Sequence, residues 1–155
     1  MKLSTKITYG VRALFDIAYH SCGTPAKVND IARRQGISPR YIEQIFIKFK
    51  KAGLIETVRG PKGGYLLARA PEELTLGDII RAVEGDIELV SCKPDGHGEG
   101  MECSMSKECV TAPIWSDLNN RVSTFFDSIT VKDLCDRGKS LGISRDMEGK
   151  FVYHI

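Results

Sequence analysis

The fold of this chain is decided by residues 38–67, which read SPRYIEQIFIKFKKAGLIETVRGPKGGYLL. Its first two residues predict a helix start, because serine caps the N–H groups of a first turn and proline fits the first helical position. Apolar side chains then recur at helical spacing, which predicts one buried stripe on an amphipathic helix. The stripe consists of Ile42, Ile45, Phe46 and Phe49, and Gly53 ends the helix.

A β-hairpin follows this helix. Its predicted strands are Leu54 to Val58 and Tyr65 to Ala68. They are joined by Arg-Gly-Pro-Lys-Gly-Gly at residues 59–64, a turn-forming sequence. The tip of the hairpin therefore carries two cations, Arg59 and Lys62, which suit a DNA backbone or minor groove.

Two helices precede this stretch. Apolar spacing predicts the first from Ile7 to Ala18 and a second, short helix from Lys27 to Arg34. Gly36 supplies the turn between the second helix and the third. Two short helices that meet at a glycine, followed by a hairpin with a basic tip, indicate a mainly α, winged helix-turn-helix fold that binds DNA.

Downstream of the hairpin, Thr75 and Asp78 resemble a capping box for a helix that Gly85 ends. Residues 86–111 have little periodicity and contain three of the five cysteines, so we expect a functional segment without regular structure. A heptad-like seam then predicts a helix that pairs with another helix. The seam consists of Trp115, Leu118, Val122, Phe125 and Ile129.

Thr130 with Asp133 marks the start of one more helix, which places Cys135 on an apolar face. The chain ends in a strand-like stretch from Phe151 to Ile155. We therefore predict three parts. Residues 1–85 form the DNA-binding domain, residues 86–111 form a cysteine-bearing sensor segment, and residues 112–155 form a dimerisation helix and tail.

Charge is divided unevenly along the chain. Up to Arg69 there are 13 Lys and Arg against 4 Asp and Glu, a net charge of +9, whereas residues 70–155 hold 9 against 16, a net charge of −7. A basic first half is typical of a module that binds a polyanion, because each cation that neutralises a phosphate releases counterions. The split therefore favours nucleic acid as the partner of the first half.

Composition and length exclude several classes of protein. The chain has 155 residues, 42% hydrophobic and 27% charged, which is the range of globular proteins. No apolar run approaches the ~18 residues that span a bilayer. The N-terminal stretch, in which Tyr9 and Gly10 follow Lys2 and Lys6, is not a secretory signal. We expect a cytoplasmic protein that does not bind membranes.

The third helix carries the candidate base and phosphate contacts. Ser38 and Arg40 are placed for phosphate or base contact, and Gln44 is suited to adenine. Glu43 is suited to the amino group of cytosine, or else is a solvated residue paired with a nearby lysine. Tyr41 either offers its hydroxyl to phosphate or is a partly buried ring under the wing.

Three cysteines lie in the irregular segment. Cys92, Cys103 and Cys109 are separated by ten and then five residues. Converging thiolates hold zinc or an iron–sulfur cluster, although this spacing matches no zinc ribbon or ferredoxin run. Incidental thiols are the alternative interpretation of the same three residues.

The order of these motifs resembles the Rrf family of winged-helix regulators, with the likeness running from Met1 to about Leu134 and strongest in the VRGPKGGYLL wing at Val58 to Leu67. Members of this family sense iron–sulfur status, nitric oxide or cysteine metabolism. The resemblance implies a homodimer on palindromic operators and an iron–sulfur cluster. By position it implies DNA contacts at Ser38, Arg40, Tyr41, Glu43 and Arg59, and cluster ligands at Cys92, Cys103 and Cys109.

Two departures from the family pattern leave the fourth cluster ligand open. The segment between the first two cysteines is five residues longer than in the family's cluster regulator, and Ala112 stands where that regulator has histidine. Thr8 stands where other members have an acidic residue. The candidates are His97, Glu99, Glu102, Asp16 or His20 of a second copy, Cys135, or an exogenous thiol or water.

Two further hypotheses compete with the cluster-bearing regulator. One is a regulator of the same fold without a cluster, which a partner protein controls and which the aromatic C-terminal end would suit. The other is an iron–sulfur enzyme or cluster carrier whose helix-turn-helix serves protein contacts. The sequence has no phosphate-binding loop, dinucleotide fingerprint or nucleophile motif, so we expect no enzyme activity.

Overall fold

The computed structural model of the protein describes residues 3–89, 97–98, 101–102 and 109–145. The helices are α1 Thr5–His20, α2 Val28–Gln35, α3 Pro39–Lys51, α4 Leu76–Glu84, α5 Ala112–Asp127 and α6 Val131–Ser140. The strands are β1 Ile55–Val58, β2 Gly64–Leu67, β3 His97–Gly98 and β4 Met101–Glu102, and a 3₁₀ turn lies at Pro71–Glu73. The predicted mainly α, winged helix-turn-helix fold is confirmed.

The predicted start of α3 is confirmed at atomic detail. The hydroxyl of Ser38 accepts a hydrogen bond from the Tyr41 N–H at 3.3 Å, and Pro39 occupies the first turn. The turn before it depends on Gly36, which ends α2 in the left-handed conformation with φ of 63°. The whole predicted stripe is buried in the core, namely Ile42, Ile45, Phe46 and Phe49.

The wing is the antiparallel pair β1 and β2, in which Ile55 is opposite Leu67 and Val58 is opposite Gly64. Each strand is shifted slightly from the prediction, because Leu54 lies just before β1 and β2 begins at Gly64. A backbone bridge between Ala26 and Tyr65 joins the hairpin to the segment before α2. The wing is thus tied to the body of the domain rather than projecting alone.

Two adjacent glycines make this wing possible. A Cβ on Gly63 would lie 2.2 Å from the backbone oxygen of Val58, and a Cβ on Gly64 would lie 2.4 Å from that of Ala26. Neither distance is compatible with a side chain. The Gly-Gly pair of the predicted turn is therefore required by two close backbone approaches.

The helix α1 lies at the centre of the core and packs against α2, α3, α4 and α6. The last helix returns to it, and a Cβ on Gly138 of α6 would meet the rings of Phe15 and Tyr19 at 3.2 Å. The predicted capping box of Thr75 with Asp78 is present, and Thr130 with Asp133 forms another at the predicted start of α6. One hydrophobic core therefore includes α6 together with the helix-turn-helix.

Two predictions about the second half of the chain were wrong. Ile129 is not part of the helical seam, because α5 ends at Asp127 and the Ile129 carbonyl instead accepts from the Leu76 N–H at 2.9 Å. The segment 86–111 is not wholly irregular, since His97 is opposite Glu102 in the short β3–β4 hairpin. The predicted strand from Phe151 to Ile155 lies outside the described residues.

Among the described residues, no helix has the length and apolar character required to cross a bilayer.

Candidate functional site

The outward face of α3 carries most of the predicted DNA-contacting side chains. Ser38, Arg40, Glu43 and Gln44 are all exposed. The buried stripe holds the opposite face of the helix against the domain, so these four side chains lie together on one surface. Within the described part of the chain Glu43 pairs with no lysine or arginine, so the predicted ion pair is not formed.

Tyr41 does not lie under the wing, which was one of the two interpretations of this residue. Its half-buried ring meets the ring of Tyr9 on α1 edge-on, with the ring centroids 5.5 Å apart. Tyr65, a residue of the wing strand β2, packs the wing against α3, with its ring centroid 4.7 Å from that of Phe46. Tyr41 therefore supports the first turn of α3 from the side of α1.

The wing tip presents its two predicted cations to solvent. Arg59 and Lys62 are both exposed, on either side of Gly60 and Pro61. The turn is closed by a hydrogen bond from the Gly63 N–H to the Gly60 carbonyl at 2.9 Å. A narrow, closed turn with two cations has the shape and charge that suit a DNA backbone or minor groove.

A buried polar network holds α2 against α1, and the sequence patterns did not predict it. Both carboxylate oxygens of Asp16 accept from Arg34, the closest at 2.7 Å, and one also accepts from the Gln35 amide at 2.8 Å. Arg12 then donates to the side chain and the backbone carbonyl of Gln35. A charged residue at an inward position of α1 is the one sequence signal that indicates such a pair.

Cys109 is the one predicted cluster cysteine that lies within the described residues. It is half-buried, three residues before α5, with its sulfur 3.2 Å from the Thr111 hydroxyl. Hydrogen bonding from Thr111 lowers the pKa of this thiol, which favours the thiolate form that binds metals. Cys92 and Cys103 lie outside the described residues, and the described residues contain no group of three potential ligands that could hold a metal ion.

Three of the candidates for the fourth cluster ligand are buried in the structure. Asp16 is completely buried and its oxygens are bound to Arg34 and Gln35. Cys135 belongs to the hydrophobic core, as its apolar position predicted, and burial raises the pKa of its thiol. His20 is 4% exposed and contacts the rings of Phe15 and Tyr19.

A further surface lies along α5. Exposed and half-buried apolar side chains make up the α5 apolar face, with Ile114 61% exposed and Phe125 58% exposed. Its members are Ile114, Trp115, Leu118, Val122 and Phe125. Among the hydrophobic residues of α5, Ala112 alone is buried. Four of the five residues of the predicted seam therefore lie on α5, where Leu118 and Phe125 are exposed and Trp115 and Val122 are half-buried.

The capped helix α3, its packing against α1 and the basic wing define a winged helix-turn-helix DNA-binding protein. The sequence profile of the Rrf2 family, described as iron-dependent transcriptional regulators, matches residues 3–137. The chain belongs to this family and is a transcription regulator rather than an enzyme.

Named relatives and solved structures agree with this assignment. The chain is 40% identical to the HTH-type transcriptional regulator IscR of Vibrio atlanticus over 144 residues. The aligned residues cover 93% of this chain and 80% of the relative. The structure is similar to that of T. potens IscR, with a TM-score of 0.73, 35% identity, and 94% and 93% of the two chains covered. It is also similar to CymR, named the global cysteine regulator of B. subtilis, with a TM-score of 0.71, 32% identity and coverage of 88% and 98%.

Proposed function

We propose that this protein is a cytoplasmic, homodimeric transcription regulator that binds palindromic DNA and responds to the state of an iron–sulfur cluster on Cys92, Cys103 and Cys109. The outward face of α3 is the observation that carries the DNA-binding part of this proposal. Ser38, which caps the helix, lies on that exposed face with Arg40, Glu43 and Gln44, and the wing adds Arg59 and Lys62. These six residues, together with Tyr41 at the edge of the face, are the proposed DNA contacts.

The α5 apolar face supports the dimer. Contiguous apolar residues on a surface helix mark an interaction site, and heptad-like spacing suits pairing with another helix. A second copy of α5 offers the same face, so a two-fold dimer would cover both at once. A dimer with two recognition helices matches a DNA site made of two half-sites about one helical turn apart.

The donor set supports an iron–sulfur cluster. Thiolates are the usual ligands of such clusters, and the Cys109 thiol has the accessibility and the lowered pKa that a ligand requires. Relatives named IscR, in a family described as iron-dependent, are consistent with this chemistry. A bound cluster supplies redox-active iron that reacts with small oxidants or nitric oxide.

The chain's own contacts indicate how the cysteine-bearing segment would affect DNA binding. The Leu89 N–H donates to the Asn119 side chain at 2.8 Å, so the start of the segment is attached to the middle of α5. Arg81 of α4 donates a hydrogen bond to Asp127 at the C-terminal end of α5, with 2.5 Å between the nitrogen and the oxygen. A rearrangement of the segment would therefore alter how α4 and the DNA-binding domain meet the dimer helix, and with it the spacing of the two recognition helices.

Anaerobic purification tests the cluster. We expect visible absorbance bands with stoichiometric iron and sulfide, and their loss without loss of fold in the triple variant Cys92→Ala, Cys103→Ala and Cys109→Ala. Cys22→Ala is the matched control, because Cys22 is exposed at the end of α1, and it should keep the full absorbance. A triple variant that keeps its colour would contradict the proposed ligands.

Sedimentation velocity tests the dimer. Phe125→Glu places a charge in the α5 apolar face and should convert a dimer into a monomer. Leu141→Glu is the control, since Leu141 is 71% exposed just after α6 and should leave the dimer intact. A wild-type protein that sediments as a monomer at micromolar concentration would exclude this part of the proposal.

The salt dependence of binding to promoter-sized DNA tests the wing. Arg59→Ala should weaken binding and reduce the slope of log affinity against log salt by about one. Arg121→Ala removes the same charge from α5, where Arg121 pairs with Asp117, and should leave the slope unchanged. If the wild type, Arg59→Ala and Arg121→Ala give equal slopes, the wing does not contact DNA.

A cluster-free regulator controlled by a partner protein is the second candidate function. The observation in its favour is the similarity to CymR over 98% of that chain. A protein that is colourless after anaerobic purification and after reconstitution, yet binds DNA, would overturn the cluster and favour this second function.

A further inference from the structure

One apolar side chain on α3 has no role in the core. Ile47 is 70% exposed, although the four members of the stripe on the same helix are almost completely inaccessible. Contact between water and an apolar side chain of this size is unfavourable relative to burial. The packing of the domain does not explain why an isoleucine occupies this position.

The position of Ile47 is informative because of the residues around it. It follows Arg40 by seven residues, Glu43 by four and Gln44 by three, which are the spacings that place side chains on one face of a helix. All three of these neighbours are exposed. Ile47 therefore lies on the same face, beside Glu43 and Gln44 at the C-terminal end of the surface that we propose enters the major groove and on the side of α3 opposite the buried stripe.

The chemistry of the major groove offers one apolar group to such a side chain. Most of the base edge there consists of hydrogen-bond donors and acceptors, whereas thymine presents its C5 methyl group. An isoleucine has no polar atom with which to read the other features. Contact between its branched side chain and the methyl group would remove both from water.

The surroundings favour DNA over a protein as the group that covers Ile47. Lys50 and Lys51 are exposed on the same helix, and the first 69 residues carry a net charge of +9. An apolar residue among cations is typical of a surface that contacts phosphates around a base edge. A protein-binding groove would need a wider apolar patch than this single side chain.

We infer that Ile47 is a specificity-determining residue that recognises the methyl group of a thymine in each half-site of the operator. This inference rests on the proposed placement of α3 in the major groove. It adds an apolar contact to the polar contacts of Arg40, Glu43 and Gln44, and it predicts a thymine preference that those three side chains do not produce.

The test begins with selection of binding sites by the full chain from a random duplex library. Each selected thymine in one half-site is then replaced by uracil, which removes only the methyl group, and binding is measured by fluorescence anisotropy. Wild-type protein should bind one uracil-substituted site about fourfold more weakly, the effect of one buried methyl group. Ile47→Ala should bind the thymine and uracil sites equally.

Leu141→Ala is the matched control, because Leu141 is as exposed as Ile47 but lies after α6. It should keep the fourfold discrimination of the wild type. Discrimination that persists in Ile47→Ala, or wild-type binding that is insensitive to every thymine methyl group, would overturn the inference while leaving DNA binding established. A full chain that selects no duplex would overturn the proposed function as well.

Discussion

The ammonium group of Lys48 donates a hydrogen bond to the backbone carbonyl of Val83, with 2.5 Å between Nζ and the oxygen. Lys48 belongs to the recognition helix α3, and Val83 lies in the last turn of α4. The last carbonyls of a helix lack partners within it and attract cations. This bond therefore connects the recognition helix to the helix that leads into the cysteine-bearing segment.

Replacement of Lys48 by methionine should destabilise the protein by about 1–2 kcal/mol, because the variant keeps the length of the side chain but loses a charge-assisted hydrogen bond. Urea unfolding measures the change. Lys50→Met removes the same charge from an exposed neighbour and should change the free energy of unfolding by less than ~0.5 kcal/mol. Equal losses in the two variants would show that the Lys48–Val83 bond contributes nothing specific.

The buried pair between Asp16 and Arg34 should be far more important for stability than ion pairs on the surface. Asp16→Ala removes one partner of a pair whose side chains are 0% and 6% exposed, and we expect a loss of about 3–5 kcal/mol in the free energy of unfolding. Asp30→Ala disrupts the exposed pair with Arg33 and should cost at most about 1 kcal/mol. Thermal or urea denaturation measures the loss of stability in both variants. Similar losses for Asp16→Ala and Asp30→Ala would show that burial does not make the Asp16–Arg34 pair more important.

The wing should depend on Gly64 because of its close approach to Ala26. Gly64→Ala would force apart the backbone bridge between Ala26 and Tyr65, with an expected loss of about 1–3 kcal/mol and weaker DNA binding. Gly36→Asn is the control, since the left-handed conformation of Gly36 suits asparagine and no atom lies near its Cβ position. If Gly64→Ala unfolds at the same urea concentration as the wild type, the approach is less restrictive than the distances indicate.

The cysteines should differ sharply in their reaction with an alkylating reagent. Cys22 is exposed, whereas Cys135 lies in the core and burial raises the pKa of its thiol. Because the thiolate is the reactive form, native protein near neutral pH should be alkylated at Cys22 at least tenfold faster than at Cys135. A timed pulse followed by mass spectrometry measures both rates. In unfolded protein the rates should become similar, and equal rates in native protein would place Cys135 outside a stable core.

The helix-turn-helix and the wing were predictable from the sequence because local interactions encode them. The serine cap before Pro39, the apolar stripe of α3 and the glycines at positions 36, 63 and 64 each constrain the backbone within a few residues. The exposure of the proposed contact residues followed from the same pattern, since a residue off the stripe faces away from the core. Charge partition along the chain indicated the kind of partner without any knowledge of the fold.

Other features depended on contacts between residues far apart in the chain. The edge-on packing of Tyr41 on Tyr9, the pairing of Asp16 with Arg34 and the backbone bond from Leu76 to Ile129 join segments that no helical or strand period relates. The return of α6 onto α1 has the same origin. Local sequence determined which elements form and which faces they bury, because capping and periodicity act over a few residues. Only the tertiary structure decided which buried faces meet, because that choice is made by the joint packing of all the side chains in the core.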